Sequence, residues 1–191
     1  MSDMDTKEHI LSVAQKLVQQ RGFNGFSYAD IADEVGIRKA SLHHHYATKA
    51  ELGVALLVSY STQLDDELQR ISAMAEKADV KLAAYAAIFR GALEADRICM
   101  GGMLASDWLT LDSSMLPSLK RFFERNIEWL TEVLAEGKSQ KLFVLNSAAA
   151  DYARVLLASL QGALLVARAT GDHETFDRTV SLLITSLTRK G

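Results

Sequence analysis

Apolar residues recur along this chain at steps of three and four, the period of a helix that buries one face. Ile10, Leu11, Ala14, Leu17 and Val18 form the first such stripe within residues 6–21, and Gly22 follows where a left-handed cap residue belongs. Ser27 and Asp30 make an S-x-x-D start signal, in which hydroxyl and carboxylate serve unpaired backbone donors. A second helix is therefore predicted from Tyr28 to Val35, stopping at Gly36. Ile37 to Tyr46 hold no helix breaker and predict a short third helix. Thr48 and Glu51 repeat the start signal for a long fourth helix, along which Leu57, Ser61, Leu64, Leu68, Ile71 and Ala75 alternate steps of four and three.

Asp79 is a candidate cap for a fifth helix bearing Leu82, Tyr85, Phe89 and Leu93 on one side. Cys99 to Leu111 predicts a short helix, with Gly101 and Gly102 permitting close approach near its start. Another helix spans about Ser114 to Gly137, directing Leu116, Leu119, Phe123, Asn126 or Ile127, Leu130 and Leu134 inward. Ser147 to Thr170 is crowded with small residues and ends at Gly171. A last helix, Glu174 to Arg189, carries Phe176, Val180, Leu183, Ile184 and Leu187. No segment alternates with the period of a strand between turns. The pattern predicts an all-α fold of about nine helices.

Composition agrees. The 191 residues include one proline, Pro117, where average usage would give roughly ten. At 49% hydrophobic the chain can build a core without metal or disulfide, and the lone Cys99 makes no intrachain bridge. No uninterrupted apolar run reaches the ~18 residues of a membrane span, and the start MSDMDTKEH is too polar for a secretory signal. A cytoplasmic protein with no membrane partner is expected.

The net charge of −3 argues against a nucleic-acid partner, until it is resolved along the chain. Residues 1–50 are formally neutral, yet Val35 to Ala50 carry Arg38, Lys39 and Lys49, three histidines and no acid. Two helices joined by a tight turn at Gly36, the second one basic, predict a helix-turn-helix whose second helix enters the DNA major groove. Ala32 lets the helices approach, Ile31 and Ile37 supply the apolar contact, and Leu42 anchors the second helix. Arg38, Lys39, Ala40, Ser41, His43 and His44 are then free to meet DNA, Lys39 donating to guanine and Ala40 fitting against a thymine methyl. Ser27 and Lys49, at helix starts, are candidate phosphate contacts. The run His43-His44-His45 is not a metal site on spacing, because consecutive helical residues diverge by about 100° whereas helical zinc ligands come at i, i+4. No cofactor is expected.

The run Gly22-Phe23-Asn24-Gly25-Phe26-Ser27-Tyr28-Ala29-Asp30-Ile31-Ala32, continued by Val35-Gly36-Ile37, Lys39 to Tyr46 and Thr48-Lys49-Glu51-Leu52, resembles the DNA-binding domain of the TetR family of one-component transcriptional repressors. The resemblance is dense over residues 8–57. It implies a homodimer with an amino-terminal helix-turn-helix domain at residues 6–52 (motif at about 29–48) and a ligand-binding and dimerisation domain at 53–191. It further implies that Ser27, His43 and Lys49 contact phosphate while Arg38, Lys39, Ala40 and His44 face the groove. Three positions depart from the family pattern: His43 stands for a tyrosine, Ala40 for a frequent glycine, and Arg38 for a small hydroxyl that would cap the third helix. Arg97 to Ala105, Phe122 to Leu130 and Leu160 to Arg168 are similar to a branch containing the NemR and AcuR regulators, which respond to small electrophiles or unsaturated acids.

Tyr85, Phe89, Cys99, Met103, Trp108, Phe123, Trp129 and Gln161 are the candidate lining of an effector pocket, supplying aromatic, thioether and amide surface. Cys99 is read either as a buried inert thiol or as a sensor activated by Arg97 and a nearby helix start. Small residues on the last two helices predict a four-helix dimer interface through Ala153, Leu157, Leu160, Leu164, Phe176, Val180, Leu183 and Leu187. Such a dimer reads a palindromic operator, with a small-molecule effector releasing it. Enzymes are disfavoured: there is no G-x-S-x-G, H-E-x-x-H or glycine-rich phosphate loop. The alternatives are a helical interaction module or a thiol enzyme pairing Cys99 with His173.

Overall fold

The computed structural model describes residues 3–188, and among these nine α-helices account for most of the chain. They are α1 (Asp3–Arg21), α2 (Tyr28–Val35), α3 (Lys39–His45), α4 (Lys49–Ser72), α5 (Ala78–Glu94), α6 (Met100–Ser106), α7 (Leu116–Ser139), α8 (Ala149–Thr170) and α9 (His173–Leu187). Three one-turn 3-10 helices lie at Phe23–Gly25, Trp108–Thr110 and Ser113–Met115. The expected all-α fold is observed. The predicted end of α9 at Arg189 lies outside the described residues.

The chain divides into two compact units: Met1–Leu64 with Cys99–Phe122, and Asp65–Ile98 with Phe123–Gly191. A boundary at 52/53 therefore cuts through the first unit, because α6 packs on α1. In this unit α1 buries Ile10, Val13, Ala14, Leu17 and Val18, while Leu11 is only half-buried. Gly22 has the positive φ expected of it (80°), but its ψ of 166° is extended. The chain consequently leaves α1 straight into the 3-10 turn Phe23–Gly25, which the helical pattern does not announce. Gly36 has φ 77° and ψ 34°, a true left-handed cap whose N–H reaches the Ala32 carbonyl at 2.9 Å. α3 begins two residues later than Ile37, and its cap position Arg38 makes no side-chain bond to the helix end. In α6 a Cβ at Gly101 would collide with the Phe122 ring, which explains the glycine.

In the second unit, Asp79 does not cap α5. The cap position is Lys77, and the Ala78 N–H is satisfied from a distance by Gln140 Oε1 at 3.1 Å. Leu82, Tyr85, Phe89 and Leu93 are buried as expected. On α7 Asn126, Leu130 and Leu134 point inward, whereas Phe123 is half-buried. α8 ends at left-handed Gly171 (φ 68°) and packs on α5 and α9, and α9 is capped by Asp172 accepting from the Thr175 N–H at 3.1 Å. Among the described helices α8 alone is long and apolar enough to cross a membrane. Runs of apolar residues do not reveal it, because Arg154, Gln161 and Arg168 interrupt them.

Candidate nucleic-acid interface

α2 and α3 meet through Ile31, Ala32 and Leu42, all nearly inaccessible, with Ile37 half-buried at the turn. Leu42 is the only buried residue of α3. Everything else on that helix from Arg38 to His44 is exposed, so the backbone presents Arg38, Lys39, Ala40, Ser41, His43 and His44 outward together. Among the described residues neither Arg38 nor Lys39 is held in an ion pair. Two cations and a row of small and imidazole side chains on one exposed helix suit a phosphate-lined groove.

The far end of α3 is fixed by Tyr28. Its buried hydroxyl lies 2.9 Å from the Tyr46 carbonyl and 2.7 Å from that of Thr48, tying α2 to the α3–α4 turn. Burial, assisted by the Glu51 carboxylate and Tyr46, pushes the Tyr28 phenol up to about 12. His43 leans its ring on Tyr28 at 4.7 Å between centroids and places Nδ1 3.2 Å from the Ala47 carbonyl. Its remaining ring nitrogen is the one left for a ligand. At the start of α4 the Glu51 N–H donates to Thr48 Oγ1 (3.1 Å), while the Glu51 carboxylate accepts from the Ala47 N–H (3.0 Å), one residue short of a reciprocal box.

The two candidate phosphate contacts both make hydrogen bonds within the protein. The Ser27 hydroxyl donates to Asp30 Oδ2 at 2.6 Å, and the Ser27 N–H donates to the same oxygen at 2.7 Å, closing the capping box. These bonds hold the Asp30 carboxyl below the usual range, and a phosphate near Ser27 would meet that anion. Half-buried Lys49 donates from Nζ to the carbonyls of Phe23 (2.6 Å) and Phe26 (2.5 Å), with the two rings 4.9 and 4.0 Å away. Burial lowers its pKa, against the opposing pull of Asp30 and Asp107. Lys49 is thereby held in the turn before α2, which counts against an outward phosphate contact, whereas Ser27 is exposed at the start of α2.

Residues 10–56 match the family model described as bacterial regulatory proteins, tetR family. The solved structure of a TetR-family transcriptional regulator from Agrobacterium tumefaciens is 31% identical, superposes with a TM-score of 0.94, and is matched over 98% of this chain and 100% of that one. The chain belongs to the TetR family of bacterial transcriptional regulators. A Legionella pneumophila TetR regulator is 32% identical at a TM-score of 0.88, over 98% and 99% of the two chains. The transcriptional repressor NemR of Escherichia coli K12 is 25% identical over 94% of this chain and 92% of its own length.

The remaining expectations for this TetR-family chain divide between the two units. Cys99, Met103 and Trp108 are in the first: Cys99 is buried with the Tyr60 hydroxyl 3.8 Å from its sulfur, Met103 is half-buried, and Trp108 is 50% exposed, which is not the placement of a core pocket wall. Tyr85, Phe89, Phe123, Trp129 and Gln161 are in the second. There Tyr85 stacks on Trp129 (5.3 Å), meets Phe89 edge-on (5.3 Å) and bonds through its hydroxyl to buried Asn126 Oδ1 (2.5 Å). Trp129 Nε1 donates to Ser72 at 2.8 Å. Both amide atoms of Gln161 are buried without a hydrogen-bond partner. An open cleft of about 430 Å³ between α5 and α9, lined by Ala83, Ala86, Ala87, Arg90, Phe176 and Val180 among others, contains none of the eight predicted residues.

The dimer-interface expectation requires correction. Ala153, Leu157, Leu160, Leu164, Phe176 and Leu187 are buried within the single chain, where a second copy cannot reach them. Val180 and Leu183 are half-buried. The accessible face of α8 is instead Val155, Ala158, Gly162, Leu165, Val166 and Ala169, and that of α9 includes Leu182.

Proposed function

We infer that this protein is a ligand-responsive DNA-binding repressor that reads its operator through α3. The observation that carries this reading is the exposure of Arg38, Lys39, Ala40, Ser41, His43 and His44 on a helix whose one buried residue, Leu42, locks it to α2. Lys39 and Arg38 donate to base edges and phosphates, Ala40 and Ser41 contact base edges, and His43 and His44 lie at the phosphates. Ser27, exposed at the start of α2, meets phosphate there, and Lys49 acts by setting the approach to α2.

The active species is a homodimer formed through α8 and α9. Supporting this, the accessible side of α8 from Val155 to Ala169 is mostly small or apolar beyond the exposed Asp151–Arg154 pair at its start, Val155 is 58% exposed and Leu182 72%. A C₂ dimer carries two copies of α3 to half-sites about one helical turn apart, so the operator is palindromic. The effector is a small molecule received by the helical core, where the unpaired Gln161 amide offers N–H donors and a carbonyl acceptor.

The test is salt-dependent binding to DNA from upstream of the protein's own coding sequence. Phosphate-anchored binding must weaken steeply with salt. Lys39→Ala lowers affinity and relaxes preference at one base position, by roughly tenfold or more. No salt-dependent binding to any duplex, or equal losses on operator and random DNA for Lys39→Ala, overturns the reading or the base-contact role respectively.

A further inference from the structure

The 3-10 turn Phe23–Gly25, between α1 and the helix-turn-helix, is gripped from three sides within the first unit. From the segment after α6, Asp107 Oδ2 accepts the Phe23 N–H at 2.9 Å, and Thr110 Oγ1 accepts from Asn24 Nδ2 at 2.7 Å. From the first turn of α4, Lys49 Nζ holds the Phe23 and Phe26 carbonyls. From the α2 side, Ser27 and Asp30 close their cap one residue beyond Phe26. Gly22 is part of the same fit: its φ of +80° excludes a side chain, and a Cβ there would stand 3.4 Å from Asp107 Oδ2 and 3.6 Å from Met103 Cε. Asp107 therefore holds a backbone N–H, and Lys49 a carbonyl, of the same residue.

We propose that Asp107 is a positioning residue for DNA binding: by clamping Phe23 from a position 84 residues away, it sets the orientation in which α2 and α3 are presented. It touches no DNA and acts through the turn. A movement of the segment around Trp108–Thr110 would release Phe23 and Asn24 together, leaving the turn with its α4 contact and the Ser27–Asp30 cap. This proposal rests on the reading of α3 as the DNA-contacting helix.

Charge and geometry predict opposite outcomes, which makes the test decisive. Asp107 is an anion in the DNA-binding unit, so electrostatics alone predicts tighter DNA binding when it is removed, and equally so for Asp107→Ala and Asp107→Asn. The clamp predicts instead that Asp107→Ala weakens operator binding by about tenfold, the loss of a charge-assisted hydrogen bond, while Asp107→Asn, which keeps an acceptor oxygen, restores most of it. Thr110→Val, which removes the exposed partner of Asn24 and the hydroxyl's own 2.8 Å bond to the Asp107 carbonyl while leaving the Asp107 carboxylate in place, weakens binding by a smaller factor and guards against misfolding of the first variant. All are measured on the full chain, with circular dichroism for folding and amide hydrogen exchange at Phe23 as the local readout. The slope of affinity against salt stays unchanged, because no phosphate contact is lost. If native protein binds DNA but folded Asp107→Ala binds as tightly or more tightly, the clamp is refuted. If native protein binds no DNA, the underlying reading fails instead.

Discussion

Replacing Lys49 with methionine separates two roles that one lysine at a helix start can play. The substitution keeps the length of the side chain and removes two charge-assisted bonds to carbonyls and two ring contacts. Hydrogen bonds from a charged donor contribute about 1.5–3 kcal/mol where their partners stay dry. Here the site is only half-buried, so the carbonyls of Phe23 and Phe26 regain water, and a figure near ~1 kcal/mol for each is appropriate. The ring contacts add about 0.5 kcal/mol apiece. Desolvation of the half-buried ammonium offsets part of the sum, leaving a loss of about 2 kcal/mol. For a chain of this size that lowers Tm by roughly 4–8 °C. The assay is a thermal melt paired with DNA affinity measured across salt. The structure requires a lowered Tm and an unchanged salt slope. A Tm within about 1 °C of native, with the slope reduced by ~0.9, would show a phosphate contact and refute the assignment.

Two other outcomes follow from the geometry. Tyr28 keeps its proton to about pH 12 in the folded protein, against an ordinary value of 10.0. The folded state thus binds this proton more tightly than the unfolded chain. The resulting stability is complete below pH 10 and drains away between 10 and about 12. Tyr28→Phe should flatten that part of the stability profile, and an unaltered profile would contradict the buried hydroxyl. On α8, a Cβ at Gly162 meets nothing within 4 Å in the protomer. Gly162→Leu and Val155→Asp should therefore fold normally yet sediment as monomers at micromolar concentration. Native-like self-association of both would remove the proposed interface.

Much of the DNA-binding half was legible locally. A capping box spans four residues, and a left-handed stop needs one glycine, so Ser27, Asp30 and Gly36 announce α2 without reference to the rest of the chain. Leu42 was identifiable as the anchor of α3 because a short helix with one aliphatic residue has one way to dock. The cap of α5 was not legible. Asp79 is a better cap by residue type than Lys77, but Gln140 already serves that helix end from 62 residues away.

The tertiary structure alone decided the employment of the charged residues and the direction of the small ones. Residue type makes Lys49 a phosphate ligand; only the fold brings the Phe23 and Phe26 carbonyls to its ammonium, and no local pattern links Asp107 to Phe23. On α8 apolar residues lie on both faces and only a few polar ones, Asp151, Arg154, Gln161 and Arg168, interrupt them, so periodicity orients it weakly. Leu164 is fully buried and its neighbour Leu165 exposed because α5 and α9 cover one side of the helix. The sequence by itself determined where most of the helices are and which one carries the basic island, since those depend on short-range hydrogen bonding and on local composition. Which equally apolar face turns outward, and which cation is held inside, depends on partners distant in the chain, and only packing settles it.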